Sequence, residues 1–257
     1  MKISTTARNL WLGTAALAGV AILWHIAALR VGLPVILPGP SAVFSRLATM
    51  ICEPNFWHHV GATLLRGLAG FLISLGVGLV VGLAAGIFPT LEALLRPIIV
   101  VLRSTPSMAF IVLALVWFKG DWVTIFVIFL VVFPMIAQNV IEGIRNIDRE
   151  LLEMVTVFRV RKLRRLTALY LPSVASYLAA GIAAGLGITW KVLIAAEVLA
   201  YPRMGIGTQM DTARTYLETD KVFAWSLVVI GIGLCFDYVL GAIRRKQDEM
   251  RKGSRNV

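Results

Sequence analysis

Lys191 and Glu197 stand six residues apart in an apolar stretch, 173–200, and their side chains could hold an ion or move a proton there. An ammonium can hold an anion, and a carboxylate can hold a cation. Six residues turn a helix by about 600°, so the two groups point about 120° apart and are not an i,i+4 pair. Each therefore needs another partner: a second helix, water in a cavity, or a bound solute. The other reactive side chains form no catalytic set. His58 and His59 are adjacent, so on a helix they point to different sides and cannot share a metal. Asp211, Glu218 and Asp220 have no histidine nearby and read as a solvated face or a protein contact. Cys52 and Cys235 fit no metal spacing and no disulfide framework. No GxxxxGK[ST] loop occurs, so no nucleotide site of that kind is expected.

A second group of residues has chemistry of another sort. ELLEMVTVFRVRKLRRLTALYLP, residues 150–172, is a basic island between apolar segments. Its first half has helical periodicity, with Leu151, Leu152, Val155 and Phe158 on one side and Glu150 and Glu153 beside them. A short helix with an apolar face and a charged rim suits docking of a soluble partner. The plainer reading is a charge anchor, but the segment is longer than an anchor needs.

The elements that position these residues follow from composition. The chain has 257 residues, of which 58% are hydrophobic and 15% charged, with a net charge of +11. A soluble domain of this length needs far more charge to cover its surface, so a polytopic membrane protein is expected. About 20 apolar residues span a bilayer, and six such spans are read at roughly 10–29, 60–88, 94–118, 122–144, 173–200 and 222–243. The first is too long for a signal-peptide core, and no cleavage site clearly follows it. SAVFSRLATMI reads as a short surface helix. Gly78, Gly82 and Gly86 form a row for close helix packing, and Pro106 is expected to kink the third span. Trp57, Trp117 and Trp122 near predicted span ends suit an aromatic belt. With both termini in the cytoplasm, seventeen of the 25 basic residues lie in inside segments, Arg96 and Arg103 among them. This asymmetry places the island in the cytoplasm. It also argues against nucleic acid, because the charge is spread over separate loops. Arg66 and Lys191 fall within spans; Arg66 is near an outer end and is expected to snorkel. Glu142 and Asp237 also lie in spans, Asp237 for packing or pairing. Lys191 lies about 28 Å along its helix with about 14 Å of helix remaining, so it is not expected to snorkel to the outer surface.

The island resembles the coupling loop of ABC importer permeases, whose pattern is E-A-A, three residues, G, nine residues, I-x-L-P. Glu153 takes the Glu position, and Leu169, Leu171 and Pro172 take the I-x-LP positions. Met154 and Val155 replace the alanines, and Arg159 replaces the glycine, so a differently built turn is expected there. LPGPSAVFSRL, ATLLRGLAGF, RSTPSMAFIVLALVWF, GIRNIDRELLEM and WKVLIAAEVLA…GIG, in that order over about 35–242, are similar to the nitrate/sulfonate/taurine/bicarbonate branch. Val112 stands where many relatives have a second proline, implying a less broken third helix.

The resemblance implies an all-α, six-helix type I importer subunit. It comprises an N-terminal helix and periplasmic amphipathic segment (1–58), a transmembrane core (59–243) with a coupling loop (145–171), and a basic cytoplasmic tail (244–257). It implies a homodimer in the bacterial inner membrane, two cytoplasmic ATPases that carry ATP and magnesium, and a periplasmic or lipid-anchored binding protein. No cofactor or metal is expected on this chain. Arg103, Pro106, Trp190, Lys191 and Glu197 are the candidate pathway or gate residues. Lys191 is read as either an interhelical salt bridge or a positive charge for an anionic solute; Glu197 as an external gate or binding-protein contact. An ion-coupled secondary transporter or a vitamin importer is the alternative. The former is disfavoured because no convincing internal repeat is visible, and a membrane enzyme because the acids and histidines are scattered.

Overall fold

In hydrocarbon every backbone N–H and C=O must be satisfied within its own segment, so long apolar runs become helices. The computed structural model describes residues 5–254 and bears this out. Among the described residues five helices are long and apolar enough to cross a membrane, and one bent pair is a sixth span when its two helices are taken together. The crossings are α1 (Thr5–Val31), α3 (Pro54–Ile87), the pair α4 (Pro89–Ser104) and α5 (Ser107–Trp117), α6 (Asp121–Arg145), α9 (Leu171–Ala200) and α11 (Thr219–Ser254). Between them lie α2 (Pro40–Ile51), α7 (Arg149–Val157), α8 (Lys162–Arg165) and α10 (Ile206–Thr215). The expected boundary at residue 58 falls inside α3.

The third span is not the single kinked helix expected over 94–118. It is two helices meeting at 101°. Pro106 has no N–H to continue the ladder and forces Thr105 into an extended conformation, φ −76° and ψ 128°. Val112 lies within the unbroken α5, so its not being a proline leaves the break intact. The fifth span also differs. Helix runs from Leu163 to Ala200, starting well before residue 173. Pro172 is accommodated because Leu166–Tyr170 forms a π turn, with the Leu171 N–H donating to the Leu166 carbonyl.

Helix α6 lies at the centre, between α3 and α9. On α3, Gly70, Gly78, Gly82 and Gly86 meet Ile128, Ile136, Val140 and Ile144 of α6 in constant register. A methyl group on Gly82 would sit 2.7 Å from Val140 Cβ and 2.8 Å from the Ala137 carbonyl, so the backbones touch there. On α9, Gly181 faces Asn139 and Gly185 faces Val132, which sets the opposite chain direction. By contrast, α1 has no buried residue over its most apolar stretch. It is tied by the Trp24 indole, which donates to the Pro38 carbonyl at 3.0 Å and stacks on Phe223. Trp57, Trp117 and Trp122 are exposed.

Candidate functional site

Three sites hold the residues singled out above: the island, a cavity at mid-depth, and a buried charge cluster at the end opposite the island.

At the island, Asp148 caps α7 by accepting the Glu150 N–H at 2.9 Å. The helix ends with Arg159 at φ +46°. The Val160 N–H donates to the Val155 carbonyl at 3.0 Å and the Arg159 N–H to Thr156 at 3.1 Å. This is a left-handed helix stop, with Val155 in the apolar core and Val160 packed against that core. The expectation of a differently built turn is therefore corrected: the turn keeps the geometry a glycine would adopt, and an arginine occupies it. A left-handed L-residue costs roughly 1–2 kcal/mol. Arg159→Gly is expected to stabilise the protein by about 1 kcal/mol after the entropy of glycine is deducted. A raised thermal midpoint in detergent checks it; a lowered one shows that the side chain is needed.

The apolar face of α7 also divides. Val155 is buried and Leu152 packs against the core. Leu151, Met154, Val157 and Phe158 form the exposed ridge, the last two each 76% exposed. The four residues grouped from periodicity are thus split, because the helix stop turns Phe158 away from the bundle. Glu150 and Glu153 are exposed beside the ridge. Leu171 and Pro172 are exposed on helix, not on a loop.

The cavity lies where α4 breaks into α5. Leu102, Arg103, Thr105 and Ser107 line it from the break, Val131 and Met135 from the middle of α6, and Ile188, Lys191, Val192 and Ala195 from α9; its volume is about 450 Å³. Arg103 therefore does not sit in the cytoplasmic link assigned to it from the charge count; it sits beside mid-α6. Ser107, the first residue of α5, lies on this space. Both Lys191 and Arg103 are exposed to the cavity, and among the described residues neither makes an ion pair or side-chain hydrogen bond. Trp190 does not line this cavity; its indole donates to the Val229 carbonyl of α11 at 3.0 Å, and together with Lys191 it lines a second cavity of about 490 Å³ on the α11 side. Pro106 makes the break and is not among the residues lining this cavity.

The charge cluster answers what Glu197 is paired with. Glu197 is fully buried, and Arg66 is 7% exposed. Arg66 donates from Nε at 3.0 Å and Nη2 at 2.5 Å to Glu197 Oε1. Thr63 Oγ1 donates to Oε2 at 3.0 Å, and the Gly207 N–H donates to it at 2.9 Å. Arg66 also reaches Asp121 Oδ1 at 2.8 Å and the Met204 carbonyl. Nearby, the Ile206 N–H donates to Thr63 and the Gly205 N–H to His59 Nδ1. Two expectations are corrected: Arg66 does not snorkel, and Glu197, being fully buried, is not exposed for a binding-protein contact. The return from α9 into α10 covers both, and each neutralises the other. Sequence reasoning missed this pair, although opposite charges in the outer turns of two spans were a signal for it. His58 bonds the Pro54 carbonyl instead of sharing a metal with His59. Glu218 pairs with Arg46 and Lys221, and Asp220 with Arg46. No metal-binding group occurs among the described residues. Glu142 accepts from Gln138 at 2.9 Å. The side chain of Asp237 and residues 255–257 of the basic tail lie outside the described residues.

An all-helical bundle with a bent helix pair, a cavity beside the bend and a short helix between spans is consistent with a membrane transport subunit. Residues 74–249 match the family of binding-protein-dependent transport system inner membrane components, and the chain belongs to that family. It is an ABC importer permease. It is 29% identical to the taurine transport system permease protein TauC of Escherichia coli K12, over 93% of this chain and 88% of that one. It is 30% identical to the bicarbonate transport system permease protein CmpB of Synechococcus elongatus, over 90% and 87%. Its fold matches a chain of the inward-facing MetNI methionine ABC transporter with a TM-score of 0.57 at 17% identity, over 75% of this chain and 94% of that one.

Proposed function

We propose that this chain forms the pathway of an ATP-driven importer of a small anionic solute. In this reading separate ATPase subunits dock on the exposed ridge of α7, and a binding protein delivers the solute to the opposite end. Two copies of the chain enclose the pathway, with both termini and the island in the cytoplasm. The single observation that carries the proposal is the pair Arg103 and Lys191, unpaired at mid-depth on one cavity. A charge at a helix centre costs roughly 2.5–3.5 kcal/mol, and such charges face cavities where water or a ligand compensates them. Half-helix amino termini aimed at anions near the midplane are a recurring transporter device.

The test is uptake in proteoliposomes holding the complex purified from native membranes with its ATPase and binding protein. Labelled taurine, an alkanesulfonate and bicarbonate are compared with a neutral solute of similar size. ATP-dependent uptake of an anion or sulfonate supports the reading. Uptake of the neutral solute alone, or uptake that ignores ATP, overturns it. The docking surface is tested separately. Burying a side chain such as Phe158 contributes about 1.5–3 kcal/mol, so Phe158→Asp is expected to weaken ATPase retention about tenfold or more. Glu153→Lys is expected to leave the permease inserted but to impair solute-stimulated ATP hydrolysis. Parental retention and coupling in both variants exclude docking at α7.

A further inference from the structure

The proposed function leaves Glu92 unused. It stands in the first turn of α4, is only 14% exposed, and forms an ion pair with Arg145, whose Nη2 lies 2.5 Å from its Oε1 and whose side chain is 57% exposed. Arg145 is the last residue of α6, and three residues separate it from α7. Those three are tightly folded: the Asn146 N–H bonds the Glu142 carbonyl, and Ile147 is buried. Arg145 and α7 therefore belong to one body.

Helix α4 is held differently. It ends at short non-helical links on both sides: Phe88, at φ −110° and ψ 102°, and the pair Thr105 and Pro106. Between them it rests on the bundle by a narrow stripe. Ile99 is its one buried residue, and with Leu95 it packs on Ala85, Phe133, Ala137 and Ile141. Leu94, Ile98, Val100 and Val101 are more than half exposed. One end of α4 carries Glu92 and the other carries Arg103, eleven residues or about 16 Å along the helix, with Pro97 inside the helix between them.

We propose that Glu92 is a positioning residue that transmits the movement of the docking helix to the anion-binding end of the cavity. Its ion pair ties α4 to the α6–α7 junction. When α7 moves, α4 turns about Phe88 and Thr105 and carries Arg103 with it. This rests on the reading of α7 and the cavity given above. The plain structural role of Glu92, an acid favoured at a helix amino terminus, requires no Arg145.

The experiment uses the purified complex in proteoliposomes, with uptake and ATP hydrolysis measured on the same sample. Glu92→Gln is expected to keep assembly and basal hydrolysis while uptake per ATP falls about tenfold; the exchanged pair Glu92→Arg with Arg145→Glu is expected to recover most of it. A conformational readout accompanies this. In a background with Cys52→Ser and Cys235→Ser, the exposed Ser104 at the far end of α4 is replaced by cysteine. Its alkylation rate is expected to change on trapping with ATP and vanadate, and to stop changing when Glu92→Gln is added. Uptake per ATP at the parental value in Glu92→Gln overturns the proposal, as does an exchanged pair no better than the single variant. Loss of assembled complex in step with uptake, or an alkylation change that survives Glu92→Gln, also overturns it. A parent complex that hydrolyses no ATP counts against the proposed function instead, and is seen before any variant is made.

Discussion

Arg66→Met is expected to destabilise the protein by about 3–5 kcal/mol, because it leaves a carboxylate buried with no cation beside it. Glu197 is fully enclosed, and two of its hydrogen bonds come from Arg66. The Thr63 hydroxyl and the Gly207 N–H remain, but neither carries charge. The damage should be local to the α3, α9 and α10 junction, since Gly205 and Ile206 are held by neighbouring side chains of α3. The companion variant, Arg66→Met with Glu197→Leu, removes both charges and is expected to recover part of the loss. It cannot recover all of it, because the Gly207 N–H and the Met204 carbonyl then lose partners in a closed space. Thermal unfolding in detergent, read by protease sensitivity of the α9–α10 return, checks both. A single variant as stable as the parent would mean that Glu197 finds water in solution and the cluster is not closed. Asp121 responds differently. It is 62% exposed, so water replaces its bond to Arg66, and Asp121→Asn is expected to change stability by less than about 1 kcal/mol.

Lys191→Met is expected to lower uptake by about tenfold to a hundredfold, the value of one charge-assisted hydrogen bond to an anion. Assembly and basal ATP hydrolysis are expected to persist, because among the described residues Lys191 makes no ion pair whose loss would disturb the fold. Lys191→Arg is expected to keep part of the activity: the charge remains, but the planar guanidinium occupies the cavity differently. The measurement is initial uptake rate at matched protein level, with hydrolysis followed in parallel. Normal transport in the methionine variant removes Lys191 from the pathway. Failure to assemble would show instead that the residue is structural, through a contact made only in the assembled complex. Arg103 on the facing element supplies an internal control. If the two cations act on one solute, the double variant should lose less than the product of the single losses, since each single variant already spoils the shared site.

The class of this protein was legible in the chain because lipid imposes a one-dimensional rule. Spanning segments must be long, apolar and helical, and basic residues collect in particular loops, so crossings and island can be counted without knowing what touches what. The glycine row was legible for a related reason: a repeat of four places small residues on one helix face, and their use is contact. Charge partners were not legible. Glu197 and Arg66 are 131 residues apart, and only the return of α9 into α10 brings them together and shuts out water. Arg159 shows the same limit on a shorter scale. Its residue type argued against a left-handed turn, yet the backbone bonds from Arg159 and Val160 and the packing of Val155 and Val160 on the core hold it there. The broken crossing lies between these cases. Pro106 guarantees an interruption, but a bend of 101° rather than a kink follows from where α4 and α5 find apolar partners. Helix α4 packs on the island half of α6 and α5 on the opposite half. That separation opens the cavity between them and brings Arg103 beside Lys191. Local chemistry decides which helices exist and where they stop. Which charges are sealed together and which are left facing a cavity depends on burial, a property of the whole packed bundle.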